Sequence, residues 1–206
     1  MPKVLLVCAL AVLSAGCAML GGKPKSDYKP PETAVYYPLA VGNSWSYSAN
    51  VLGNHSDKTI TIVKKDFDYF VDDSNGRFKV DGYGLRDDKR YLLREPLEVG
   101  KTWTSVISVQ SVEHARIVEV DAPCTVLAGA FEHCLTVETT NRLDEQKTMV
   151  LRHTFVPYVG LVKIETAMDE AGKLTPQSDV ELTGYKVKPV QPAQPAPAPP
   201  PSGSGR

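Results

Sequence analysis

The sequence predicts an all-β fold: a single antiparallel β-sandwich or open half-barrel of about nine to eleven strands, followed by a disordered proline-rich tail. Three observations carry that prediction. From residue 44 onward, runs of alternating polar and apolar residues recur every eight to twelve positions or thereabouts (roughly), the rhythm of short half-buried strands. Turn formers such as Gly53-Asn54, Asn75-Gly76 and Asp87-Asp88 punctuate the runs. An octapeptide phrase, Pro38-Leu-Ala-Val-Gly-Asn-Ser-Trp45, returns as Pro96-Leu-Glu-Val-Gly-Lys-Thr-Trp103 and holds both tryptophans of the chain.

Composition sets the outer bounds. The 206 residues carry 23 Lys and Arg against 24 Asp and Glu with no basic run, which argues against nucleic acid as a partner. The apolar content suits one core, and the chain divides into a signal segment (1–16), a tether (17–34), a β-rich domain (35–188) and a tail (189–206).

The first segment has a basic start, Met1-Pro2-Lys3, and an apolar run over residues 4–13 that is too short to span a bilayer. Leu13-Ser-Ala-Gly-Cys17 follows. Here the chain resembles bacterial lipoproteins, whose small-residue box ends in a cysteine that takes a diacylglycerol thioether and becomes the mature N-terminus. Ser14 stands where that family prefers Leu, with Leu one place earlier. The resemblance implies lipidation of Cys17, loss of Cys8 with the signal, and stable membrane anchoring through two or three acyl chains. Ala18 after the cysteine implies sorting to the outer membrane, facing the periplasm. Gly21-Gly22, Pro24, Pro30 and Pro31 oppose regular structure in the tether, whose lysines at 23, 25 and 29 suit anionic head groups. Its r.m.s. reach is roughly 20–25 Å, enough for the domain to stand clear of the bilayer.

Within the domain, Pro38 forbids a continuing helix and Gly42 permits a turn before a strand of alternating Ser and aromatic residues, 44–48. Each copy of the phrase therefore starts a strand and seats one Trp. Burial of each ring contributes about 3 kcal/mol. Trp45 and Trp103 are core aromatics on this reading, and a ligand platform on the alternative one. Residues 58–64 alternate as a second strand, closing a hairpin near Gly53-Asn54. Residues 67–73 and 78–84 flank Asn75-Gly76, which predicts a type I′ hairpin pairing Val71 with Val80 and Asp72 with Lys79. Asp66, Asp68, Asp72 and Asp73 offer a rival calcium loop, but lack the oxygen spacing and closing Glu of an EF-hand. Residues 89–94 lead into the second phrase, and 102–120 run β-branched with a turn near 111–113. Strands follow at 137–143, 147–156, 161–166 and 180–187, with Met149, Leu151, His153 and Phe155 sharing one face.

Cys124 and Cys134 bracket a turn centred on Ala128-Gly129-Ala130. If Leu127 pairs with Phe131, the two cysteines stand opposite one another, within disulfide range. Oxidation in an exported protein adds roughly 2–3 kcal/mol for a loop of this size. Zinc held with His133, or a redox pair, is the weaker reading, since zinc needs a fourth ligand and redox pairs ordinarily read CxxC. His55, His114, His133 and His153 are scattered, and no metal-binding motif, cofactor motif, nucleophile elbow or phosphate loop is present. The sequence thus predicts no cofactor, no metal and no enzyme.

Tyr37-Pro38-Leu39 through Trp45, residues 128–134 and Pro157-Tyr-Val-Gly-Leu-Val-Lys163 together look like a group of uncharacterised bacterial secreted lipoproteins with a β-sheet domain. That resemblance implies fold and location, and the group has no agreed activity. The expected function is a membrane-anchored, non-catalytic binding or assembly module of the envelope, with an envelope protein, peptidoglycan or lipid as partner. The alternative is a carrier of an apolar ligand in a curved sheet; a hydrolase without a recognisable motif comes third. The tail of Pro, Ala and Gln is a solvated segment, or one that threads peptidoglycan or fills a partner's groove.

Overall fold

Alternation of side chains becomes, in the computed structural model, one antiparallel sheet of twelve strands curled nearly into a barrel. Residues 32–189 are described; the signal, Cys17, most of the tether and the proline-rich tail lie outside them. In chain order the strands are β1 (Ser44–Val51), β2 (Asn54–Asp66), β3 (Tyr69–Asp72), β4 (Arg77–Asp81), β5 (Gly84–Arg86), β6 (Tyr91–Arg94), β7 (Thr102–Ser108), β8 (Ser111–Val126), β9 (Gly129–Arg142), β10 (Lys147–Val156), β11 (Gly160–Glu170) and β12 (Lys173–Lys186). A short 3₁₀ turn, Thr33–Tyr36, precedes them.

Successive strands pair in a meander, and β1 pairs with β12, so that among the described residues β6 and β7 are left as edges. Side chains span this seam. Trp103 donates its indole N–H to the carbonyl of Tyr91 at 2.9 Å, and Arg90 pairs with Glu113 at 2.5 Å. Because the meander alternates direction, turns fall at two ends. The proximal end, where residue 32 comes in and β12 leaves, holds the connections at 67–68, 82–83, 95–101, 127–128 and 157–159. The distal end holds those at 52–53, 73–76, 87–90, 109–110, 143–146 and 171–172.

The repeated phrase is a repeated piece of structure. Gly42 donates to Ile62 O at 2.8 Å while Ile62 donates to Asn43 O at 2.9 Å; Gly100 and Lys101 treat Ile117 in the same way, at 2.8 and 2.9 Å. Both glycines hold the left-handed backbone that an L side chain resists, φ +93° and +94°. Each copy opens a run of six strands, β1–β6 and β7–β12. The correspondence reaches past the phrase to the buried isoleucine of the neighbouring strand.

Two registers and one strand count differ from the sequence expectation. Around Asn75-Gly76, Phe70 pairs with Phe78 and Val71 with Arg77, a slip of three from the type I′ pairing. The cause is Asp72, a buried residue whose Oδ1 accepts the amide protons of Ser74 (2.8 Å) and Gly76 (2.7 Å) and so holds a wider loop. Asp66, another residue of the acidic run, pairs with Arg77 at 2.9 Å. The β8–β9 turn is Leu127-Ala128, not a three-residue loop, so Cys124 pairs with Phe131 and Cys134 with Ala122. A bulge sets Pro123 against Glu132 and His133, the latter at φ +60°, and swings the two sulfurs together. The disulfide Cys124–Cys134 forms across it with Cα atoms 6.1 Å apart. Finally, the stretch read as three strands over 67–94 holds four, because residues 82–83 turn, with Tyr83 donating its amide to Asp81 Oδ1 at 2.9 Å.

The concave face is filled with side chains toward the proximal end. Tyr36, Trp45, Ile62, Leu85, Leu93, Ile117, Leu135, Phe155, Val162 and Leu182 are buried there as one cluster. His153 lies on the same strand face as Phe155, its ring 6.3 Å away. Burial, and secondarily the positive charge of Arg90, lower its pKa to about 4.

Two outcomes follow from this packing. Reducing the disulfide, or replacing both cysteines with serine, lowers unfolding stability by about 2–3 kcal/mol, read from urea melts with and without reductant. His153 is neutral in the fold and its folded pKa lies below the unfolded value. Its contribution is therefore complete above about pH 6.5 and is lost as pH falls toward about 4. Between pH 7 and 4.5 the wild type should lose about 2–3 kcal/mol more than His153→Gln, measured as the difference between their urea midpoints.

Candidate functional site

The segment before β1 crosses the proximal mouth of the curled sheet as a plug. Thr33 donates its amide to Glu95 Oε1 at 3.1 Å and its hydroxyl to the same oxygen, tying the plug to the β6–β7 connection. On the other side, Tyr158 donates its amide to Val35 O at 2.6 Å. Tyr36 is fully buried, and Tyr37 stacks on Trp45 with ring centroids 4.9 Å apart and planes 14° from parallel. Trp45 donates its indole N–H to Val159 O at 2.6 Å. Gly160 makes this seat possible: its φ is +120°, and a Cβ there would come within 2.9 Å of Trp45 Nε1. Asn43, also fully buried, donates to Pro38 O at 2.6 Å and accepts the amide of Lys188 at 2.9 Å, clipping the incoming chain to the outgoing one.

Between the plug, the β2–β3 turn, the end of β4 and the chain leaving β12 opens a groove of about 900 Å³. Tyr37, Pro38, Leu39, Phe70 and Val80 give it an apolar floor. Lys65, Lys79 and Lys188 stand on its walls with Asp68 and Asp81. Several of these charges are already engaged. Lys65 lies 5.3 Å from the centre of the Phe70 ring, Lys79 lies 4.9 Å from that of Tyr69, and Lys188 donates to Val41 O at 2.6 Å. Asp81 accepts the hydroxyl of Tyr91 at 3.1 Å, and desolvation, then that contact, raises the phenol's pKa. Burial, then the nearby Asp72, hold the Tyr37 phenol protonated far above its ordinary range. Among the described residues lining the groove there is no serine, threonine, cysteine or histidine. Its chemistry is that of an apolar slot with a charged margin, suited to holding a ligand.

Of the residues singled out from sequence, Trp45 and Trp103 are both buried but occupy separate seats. Trp45 lies behind Tyr37, and Trp103 braces the seam by its bond to Tyr91 O. Cys124 and Cys134 are bridged on β8 and β9, and Cys17 is outside the described residues. The four histidines sit on β2, β8, β9 and β10, and no group of three His, Cys, Asp or Glu side chains among the described residues is arranged to hold a metal ion. A smaller pit of about 410 Å³ on β8–β11, beside the disulfide, is lined by Glu119, Arg152, Lys163 and Glu165. Its cations are engaged: Arg152 with Glu138 at 2.8 Å, and Lys163 with Glu165 and Glu181 at 3.2 Å each. Sequence reasoning missed the groove, although Tyr36-Tyr37 before Pro38 was a visible signal that the incoming segment had aromatics to bury.

No protein-family profile and no curated sequence matches the chain. Among solved structures, it is similar to a candidate lipoprotein from Parabacteroides distasonis, with a TM-score of 0.41 and 13% identity over 76% of this chain and 100% of that one. It is also similar to a candidate exported protein with a YmcC-like fold from Bacteroides fragilis, with a TM-score of 0.40 and 10% identity over 73% of this chain and 98% of that one. Likeness at this level carries no argument about activity.

Proposed function

We propose that the protein is a lipid-anchored module of the bacterial envelope, held at the outer membrane through Cys17 and facing the periplasm, and that it binds without catalysing. The observation that carries this reading is the proximal groove, an apolar slot at the end where the tether comes in, whose only hydroxyl among the described lining residues is the buried phenol of Tyr37. Two further features support it. Leu13-Ser-Ala-Gly-Cys17 follows an export-type apolar run, and the Cys124–Cys134 disulfide suits an oxidising compartment. Mass spectrometry of the membrane-extracted protein should find a mature N-terminus at Cys17 bearing diacylglycerol; a free thiol there, or a terminus elsewhere, refutes the anchor.

The aromatic and aliphatic floor favours a second reading, in which the bound partner is an acyl chain or similar apolar ligand. Trp45 reports on the groove because only Tyr37 separates them. With Trp103 kept at the seam, a doxyl-labelled fatty acid should quench the Trp45 share of the emission, and Leu39→Asp should abolish the quenching while circular dichroism stays unchanged. Equal quenching with and without Leu39→Asp counts against the groove as the ligand site.

A further inference from the structure

The turns of the proximal end differ chemically from those of the distal end. Four aromatic residues are exposed among the described residues: Phe67 (92%), Tyr83 (66%), Tyr158 (58%) and Tyr185 (45%). All four belong to the proximal end, in the β2–β3, β4–β5 and β10–β11 turns and at the close of β12. The remaining proximal turns add exposed Val99 and Leu127. The distal turns expose the aliphatic Leu52, Val109 and Leu143, but they carry no aromatic residue and hold Asp73, Asp87, Asp88, Asp144 and Glu145.

Phe67 is the sharpest case. Its ring is almost wholly in solvent while its backbone sits at φ +50°; Tyr158 repeats the combination at φ +64°, and at the distal end the aliphatic Leu52 has it at φ +50°. A bulky side chain in the left-handed region is unfavourable, and Asn or Gly would fill either turn more cheaply. Among the described residues no packing covers the Phe67 ring. Its surroundings suit an interface, since aromatic rings with polar neighbours concentrate at head-group depth, and lysines 64, 65, 186 and 188 are exposed at the same end.

We propose that this proximal rim seats on the surface of a phospholipid bilayer, with Phe67, Tyr83 and Tyr158 inserted at the level of the head groups. The proposal rests on the anchor reading: the fourteen residues 18–31 between Cys17 and the described chain lead to this end and no other. Drawn straight, they reach no farther than about 50 Å, which keeps the rim near the anchored surface, and the exposed rings favour contact. The distal end then points away from the membrane, and the groove opens close to the lipid.

The test uses the full lipidated protein reconstituted into vesicles of phosphatidylethanolamine and phosphatidylglycerol containing brominated phospholipid. Phe67→Trp is compared with Leu52→Trp, each after subtraction of the signal from buried Trp45 and Trp103. Quenching by brominated lipid should be at least about twofold stronger at position 67, with blue-shifted emission, as for a ring in the interface. Diacylglyceryl-Cys17 with equal quenching at the two positions overturns the rim proposal alone. An unmodified Cys17 in the same sample overturns the anchor and the proposal together. Protection of the Trp at 67 from acrylamide without quenching by lipid assigns the rim to a second copy of the chain, and likewise overturns it.

Discussion

Eleven ladders hold twelve strands, and the closure of the last gap by side chains is the constraint on which the rest of the molecule depends. A sheet of this length must curl to bury its apolar face, and curling brings β6 and β7 to the same seam. Their backbones do not pair there. Trp103, delivered by the second copy of the phrase, bonds to Tyr91 O, and Arg90 reaches Glu113 on β8. At the equivalent place in the other half, Trp45 is free of that duty because β1 has a ladder with β12, and its indole holds Val159 instead. The same eight residues thus serve a closed junction in one half and an open one in the other. This explains why the two copies share turns and buried isoleucines but differ in what the indole binds.

The mouth at the proximal end is closed by packing. The aromatic pair Tyr36-Tyr37 lies over the core, held from both sides by Glu95 and Tyr158, and the apolar floor of the groove is partly the outer surface of this plug. Deep burial in a filled core leaves a curved sheet of this kind little interior space for a ligand toward this end. The groove opens outward, at the junction where the chain comes in and leaves.

How much of this was legible depended on whether the deciding contact was local. The bounds of β10 follow directly from the alternation of Met149, Leu151, His153 and Phe155, because a strand face needs only its own period. The disulfide pair was legible for the same reason, although the register was not: the bulge at Pro123 and His133 leaves no mark in a polar and apolar pattern. Asn75-Gly76 read as a tight turn, but a carboxylate three residues earlier supplied a stronger local acceptor and widened it. The groove was out of reach because residues more than a hundred positions apart build it, and the seam because its contacts, 12 and 23 positions apart, join strands that share no ladder. The bond between Asn43 and Lys188 is an example.

That bond has a geometric consequence for anything attached to the C-terminal side. Because Asn43 fixes Lys188 at the edge of the groove, the seventeen residues after Pro189 set out from its mouth. Even drawn straight they extend no farther than about 60 Å. A macromolecule that grips this segment is confined to a small volume around the groove, where its effective concentration is on the order of millimolar. Weak contacts with the apolar floor then suffice for stable engagement, and the slot need not be a high-affinity site when taken alone.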